Sequence, residues 1–127
     1  MAKKKILIVD DEKDISLMLK KRLTAEGYSV ITANDGCAAL TLAKSHLPDL
    51  IILDIVMPGM EGNEVAEKLK EHFLTKSIPV IFLTAILRKT EDYKDDHIIG
   101  GNIIFAKPFD PEELLDEIKT LMETAAI

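Results

Sequence analysis

Four stretches of this chain are apolar at every position: Ile6-Leu7-Ile8-Val9, Leu50-Ile51-Ile52-Leu53, Val80-Ile81-Phe82-Leu83 and Ile103-Ile104-Phe105-Ala106. Each is short and rich in β-branched residues. A run of this kind has no solvent face, so it predicts a central parallel strand covered on both sides. Tyr28 to Ala33 alternates instead and predicts a shorter strand at a sheet edge. Between the strands the period becomes helical. Ile15, Met18, Leu19 and Leu23 share one stripe, widened by Leu17. Asp14 or a neighbouring acid caps that helix, and Gly27 closes it in a left-handed conformation. Asn34-Asp35-Gly36 is a turn before a helix over about Cys37 to Ser45, which Pro48-Asp49 breaks. Met57 to Gly62 is a loop rich in turn residues. Glu61 or Asn63 then opens a helix carrying Val65, Ala66, Leu69 and Phe73. Arg88 to His97 is very polar and predicts a short or mobile helix, with Gly100-Gly101 as its stop. Asp110-Pro111-Glu112-Glu113 is a strong helix start: a capping acid, a proline at the first helical position and acids facing the positive helix end. Leu114, Leu115, Ile118, Leu121 and Met122 give the last helix its apolar face.

Strand followed by helix, five times over, predicts an α/β fold. It is a doubly wound parallel sheet with helices on both faces and right-handed crossovers. The 127 residues fit one domain, 1–127, long enough to bury a core without staples. The single cysteine, Cys37, excludes an intrachain disulfide and fits a reducing, cytoplasmic setting. The formal charge of −6 argues against direct nucleic-acid or anionic-membrane binding. Lys3-Lys4-Lys5 leads into an apolar run too short for a signal peptide, and no run approaches the roughly 20 residues of a membrane span.

The chemistry lies where the strands stop. Asp10-Asp11-Glu12, Asp54, Thr84 and Lys107-Pro108 each follow one of the four apolar runs. In an open α/β sheet the carboxyl ends of the strands share one edge, and ligands bind there. Each residue has an ordinary reading: helix caps for Asp10 and Asp11, a turn for Asp54, a strand terminus for Thr84, a solvated amine for Lys107. Their joint placement points further. Carboxylates of Asp10, Asp11 and Asp54 within about 5 Å of one another repel by about 3 kcal/mol per pair at an effective dielectric near 20. A divalent cation offsets that repulsion, and Mg²⁺ prefers hard oxygen ligands and often bridges to phosphate. The backbone carbonyl of Val56 is placed to join them. A carboxylate beside Mg²⁺ can be a nucleophile toward phosphorus. Lys107 would then supply a cation, and Thr84 a hydroxyl, to the phosphoryl oxygens. The histidines, His46, His72 and His97, are scattered over separate segments, which argues against a histidine metal site.

Asp10-Asp11, Asp54-Ile55-Val56-Met57-Pro58-Gly59, Thr84-Ala85 and Lys107-Pro108-Phe109, in this order and spacing, resemble the receiver domain of two-component response regulators. The resemblance covers essentially the whole chain. It implies a flavodoxin-like sheet in the order 2-1-3-4-5. It implies phosphoryl transfer from a sensor histidine kinase or a phosphotransfer protein onto Asp54, with Thr84 and Lys107 assisting. It implies Mg²⁺ on Asp11, Asp54 and the Val56 carbonyl, with Asp10 acting largely through water, and a cis bond at Lys107-Pro108. The output surface would be the fourth and fifth strands with the helices that follow them, read by an effector protein or domain. Phosphorylation-dependent dimerisation is compatible with this reading.

The chain departs from the family at one place. An aromatic ring is usual three residues before the lysine, where it turns inward with the threonine, and here Ile104 stands there. Phe105 next door should face the opposite side of the sheet. Val56 and Ile86 flank the expected phosphoryl position, are apolar and branched, and predict slow self-dephosphorylation. The resemblance implies a switch, not an enzyme turning over metabolites. The alternatives are an aspartyl-phosphate phosphohydrolase, a flavin-binding electron carrier and a phosphorylation-independent binding module. The first usually needs a second Asp at position 56, and the second a hydroxyl-rich phosphate loop after the first strand. The complete set of acids, threonine and lysine weighs against the third.

Overall fold

A computed structural model describes residues 3–57, 59–84, 98–99, 102–107 and 109–126. In chain order the elements are β1 (Lys5–Val9), α1 (Lys13–Ala25), β2 (Ser29–Ala33), α2 (Gly36–His46), β3 (Leu50–Asp54), α3 (Gly62–Glu71), β4 (Val80–Thr84), β5 (Ile98–Ile99), β6 (Asn102–Ala106) and α4 (Pro111–Ala126). The sheet order is β2-β1-β3-β4-β6-β5. Its first five members are parallel, and β5 adds a two-residue antiparallel pairing to the outer side of β6. The five-stranded parallel order 2-1-3-4-5 implied by the family resemblance is therefore present, with β6 as the fifth parallel strand. The pairing of Ile98-Ile99 was not anticipated. The helix expected over Arg88 to His97, the Gly100-Gly101 turn, Ala85, Ile86 and Pro108 with its expected cis bond lie outside the described residues.

The apolar runs are buried for the reason their sequences give. Residues along a strand alternate between the two sheet faces, and both faces are covered. On one face Ile6, Ile8, Leu50, Ile52, Ile81, Leu83 and Phe105 pack against Leu19 and Leu23 of α1 and Leu114, Leu115, Ile118 and Met122 of α4. On the other, Leu7, Val9, Ile51, Leu53, Phe82 and Ile104 meet Ala39 and Ala43 of α2 and Val65, Ala66 and Leu69 of α3. Ile104 and Phe105 thus face opposite sides, as strand alternation requires. β2 is the edge strand that its alternation predicts, with only Ala33 fully buried.

The helix ends follow local chemistry. Gly27 takes φ 98°, and the amides of Gly27 and Tyr28 turn back to the carbonyls of Thr24 and Leu23, closing α1 in a left-handed Schellman turn. The Asp35 carboxylate caps α2 by accepting from the Ala38 amide at 2.8 Å. Asp110 does the same for α4, accepting from the Glu112 amide at 2.9 Å. Two expected acid caps do not form. Glu12 and Glu61 hold the capping positions of α1 and α3, and neither side chain bonds the helix end.

Candidate phosphoacceptor site

Three backbone hydrogen bonds extend the ladder past the strand ends and fix the floor of the site. The Asp10 amide donates to the Ala33 carbonyl (3.1 Å), Ile55 to Leu83 (2.9 Å) and Lys107 to Thr84 (2.9 Å). Parallel register places Asp54 beside Leu83 and Thr84 beside Ala106. Asp10, Asp54, Thr84 and Lys107 are consequently buried polar residues at one edge of a sheet whose interior is otherwise apolar.

Lys107 is the hub. Its Nζ lies 2.9 Å from Glu12 Oε1, 3.0 Å from Asp10 Oδ2 and 3.4 Å from Asp54 Oδ2. Carboxylate oxygens of Asp10, Glu12 and Asp54 all fall within 4.8 Å of one another. Three acids against one amine leave the group about two charges negative. Asp54 registers the imbalance. Burial and the neighbouring Asp10 carboxylate push its pKa up from 3.8 to about 6, against the opposing pull of Lys107 and the Val56 amide. Burial acts against the charge of Lys107, but its contacts with Glu12 and Asp10 and the nearby Asp54 outweigh that, so its pKa is raised.

Asp10 Oδ1 accepts from the Glu12 amide at 2.9 Å. Asp10 Oδ2 is buried and, among the described residues, accepts no hydrogen bond and holds an ion-pair contact with Lys107 at 3.0 Å. A buried carboxylate oxygen without a hydrogen bond is costly. A hard divalent cation is the partner that an all-oxygen, doubly negative cluster fits. Asp11 is exposed and lies outside the three converging acids. The Val56 side chain is about half exposed, and its amide donates to Asp54 Oδ1 at 3.3 Å.

The sequence of this chain matches the response regulator receiver domain over residues 6–119. This chain belongs to that family. The receiver is 38% identical, over 98% of its length, to the alkaline phosphatase synthesis transcriptional regulatory protein PhoP of Bacillus subtilis. It is 40% identical, over 92%, to the response regulator PleD of Caulobacter vibrioides. It spans 50% of the length of the first and 26% of the second. Among solved structures it resembles the chemotaxis protein CheY4 of Vibrio cholerae, with TM-score 0.81, 34% identity and coverage of 94% of this chain and 99% of that one. It also resembles the response regulator TrrA of Thermotoga maritima in complex with Mg(2+)-BeF, with TM-score 0.76, 39% identity and coverage of 93% and 98%. The receiver fold and its place in two-component signalling follow. No described helix is long and apolar enough to cross a membrane.

Two residues of the receiver site were not singled out from sequence. In the sequence Glu12 is only the last acid of its run, yet its carboxylate reaches Lys107 across the pocket. Gly62 was read as a turn residue. A Cβ there would come within 2.2 Å of the Asp54 carbonyl oxygen and 2.7 Å of the Ile55 Cα. The start of α3 therefore rests directly on the strand end that carries Asp54, and the Gly62 amide donates to the Ile55 carbonyl at 2.8 Å. A glycine inside a first helical turn, where glycine disfavours helix, was the available signal.

Proposed function

We propose that residues 1–127 form one receiver domain whose Asp54 accepts a phosphoryl group from a sensor histidine kinase or a phosphotransfer protein. The observation that carries this reading is the convergence of Asp10, Asp54 and Lys107 at one buried strand edge. An Asp54 carboxylate oxygen forms the bond to phosphorus as the donor's P–N bond breaks. The imidazole leaves with that electron pair and is neutralised by a proton. Lys107, released from its carboxylate contacts, binds one phosphoryl oxygen as a compact cation, and the buried Thr84 hydroxyl donates to another. Catalysis of this kind is positioning and charge stabilisation.

Asp10, Asp11, Asp54 and the Val56 carbonyl are the groups we assign to Mg²⁺. The ion would supply charge neutralisation between carboxylate and phosphoryl oxygens. Support comes from the Asp10 oxygen that accepts no hydrogen bond and from the similarity to TrrA, solved with Mg(2+)-BeF. The protein acts as a cytoplasmic switch and not as a metabolic enzyme. Its output passes through β4, β6, α4 and the segment between the two strands to a downstream effector, without direct contact to nucleic acid. With Ile104 buried on the α2–α3 face and Phe105 on the other, the switch works by shifts of strands and helices and not by the swing of a ring at position 104.

The test is incubation with a small phosphodonor and Mg²⁺ followed by intact mass. One added phosphoryl group is expected, and none in Asp54→Asn. Rapid turnover of a phosphorylated metabolite would instead establish a phosphohydrolase.

A further inference from the structure

Glu12 holds the capping position of α1, where a short side chain bonding the helix amides is favoured. Its carboxylate does not take that role. The Asp10 carboxylate pins its backbone through the Glu12 amide, and the side chain reaches Lys107 instead, a contact between residues 95 apart in sequence. The three acids around that amine are not equivalent. The side chains of Asp10 and Asp54 are 0% and 4% exposed, and that of Glu12 is 57% exposed. An ion pair open to solvent is weak and easily parted, whereas a buried carboxylate cannot exchange its partner for water without cost. Lys107 contacts all three at once, so Glu12 takes a share of an amine that the two aspartates would otherwise hold between them, and Asp10 Oδ2 accepts no hydrogen bond among the described residues while the amine is shared.

We propose that Glu12 is a positioning residue for Lys107: by sharing the amine it loosens the hold of Lys107 on the Asp10 and Asp54 carboxylates, so that a divalent cation displaces it more readily. The inference rests on the ion-binding part of the function proposed above. Without the Glu12 carboxylate, Lys107 is held by the aspartates alone and competes more strongly with the ion. Length matters as well as charge. An aspartate at this position keeps the charge but is one methylene short of the amine, and it suits the helix cap better.

Mg²⁺ titrations followed by amide chemical shifts, without phosphodonor, test this in wild type, Glu12→Gln and Glu12→Asp. Apparent Mg²⁺ affinity should fall about five- to tenfold in both variants, the scale of one partly screened charge pair. Placing Glu12→Gln in a Lys107→Met background should reduce its effect to less than about twofold, because the competing amine is gone. Wild-type affinity in Glu12→Asp would show that charge alone matters and would overturn the proposal. So would an undiminished Glu12→Gln effect in the Lys107→Met background. Failure of wild type to bind Mg²⁺ would sink this proposal together with the metal assignment. The expected affinity pattern without phosphoryl gain on Asp54 would leave it standing and sink the phosphoacceptor reading alone.

Discussion

The two ends of β3 carry one aspartate each, and they live in different physical worlds. Asp49, just before the strand, accepts from the Lys5 amide at 2.8 Å and is partly open to solvent. Asp54, at the far end, is buried against Asp10 with its pKa pushed up to about 6. The same contrast runs along both edges of the sheet. Near the amino edge the buried Thr75 hydroxyl is satisfied, donating to the Leu69 carbonyl at 2.6 Å. At the carboxyl edge an Asp10 oxygen accepts no hydrogen bond among the described residues and shares the Lys107 ammonium with two other acids. One edge is built to be stable. The other holds three carboxylates against one amine, an excess of negative charge that a cation would relieve.

The sharpest way to break the contrast is to remove the amine at the charged edge. Lys107→Met should slow phosphorylation by a small phosphodonor by on the order of 100-fold, read by intact mass over time. Asp49→Asn, whose amide oxygen can still accept from Lys5, should leave that rate unchanged. Gly62→Ala comes next. The added methyl forces α3 away from the Asp54 carbonyl, so chemical denaturation should show a loss of about 1–3 kcal/mol together with slower phosphorylation.

Asp54→Asn should raise the stability of the metal-free protein by on the order of 1 kcal/mol at neutral pH, a shift of a few degrees in Tm. The sign follows from the proton. The folded carboxyl holds its proton to about 6 and the unfolded one to 3.8. Below 3.8 both states are protonated and the group costs nothing. As pH rises toward 6 the unfolded chain releases its proton first, and wild-type stability falls. The gap between variant and wild type should therefore open across that window, and a gap independent of pH would contradict the assignment. The smallest effect expected is a several-fold faster loss of phosphate in Val56→Asn, whose amide can orient water beside Asp54 where the half-exposed valine does not.

Much of this was legible in the sequence because it depends on neighbours along the chain. The apolar runs, the Asp110 cap and the Gly27 turn are decided within a few residues. Asp10, Asp54, Thr84 and Lys107 were found because each ends a strand, so strand recognition carried site recognition with it. What escaped depends on contacts made only after folding. Leu47 adopts φ 48° at the end of α2 although it is not glycine, held between a helix and the Pro48-Asp49 entry to β3. Gly62 is needed because a helix and a strand end meet there. Glu12 forsakes its local cap for a lysine 95 residues further along the chain, at the end of β6. In each case tertiary packing overrides a local preference.

The two-residue β5 has a consequence for how this molecule meets copies of itself. An uncovered strand offers a row of amides and carbonyls onto which another chain can zip. On the β6 side that row is met by Ile98 and Ile99 running the other way. Along Asn102 and Ile103 those groups are already matched by β5, so a visiting strand could pair there only by displacing it.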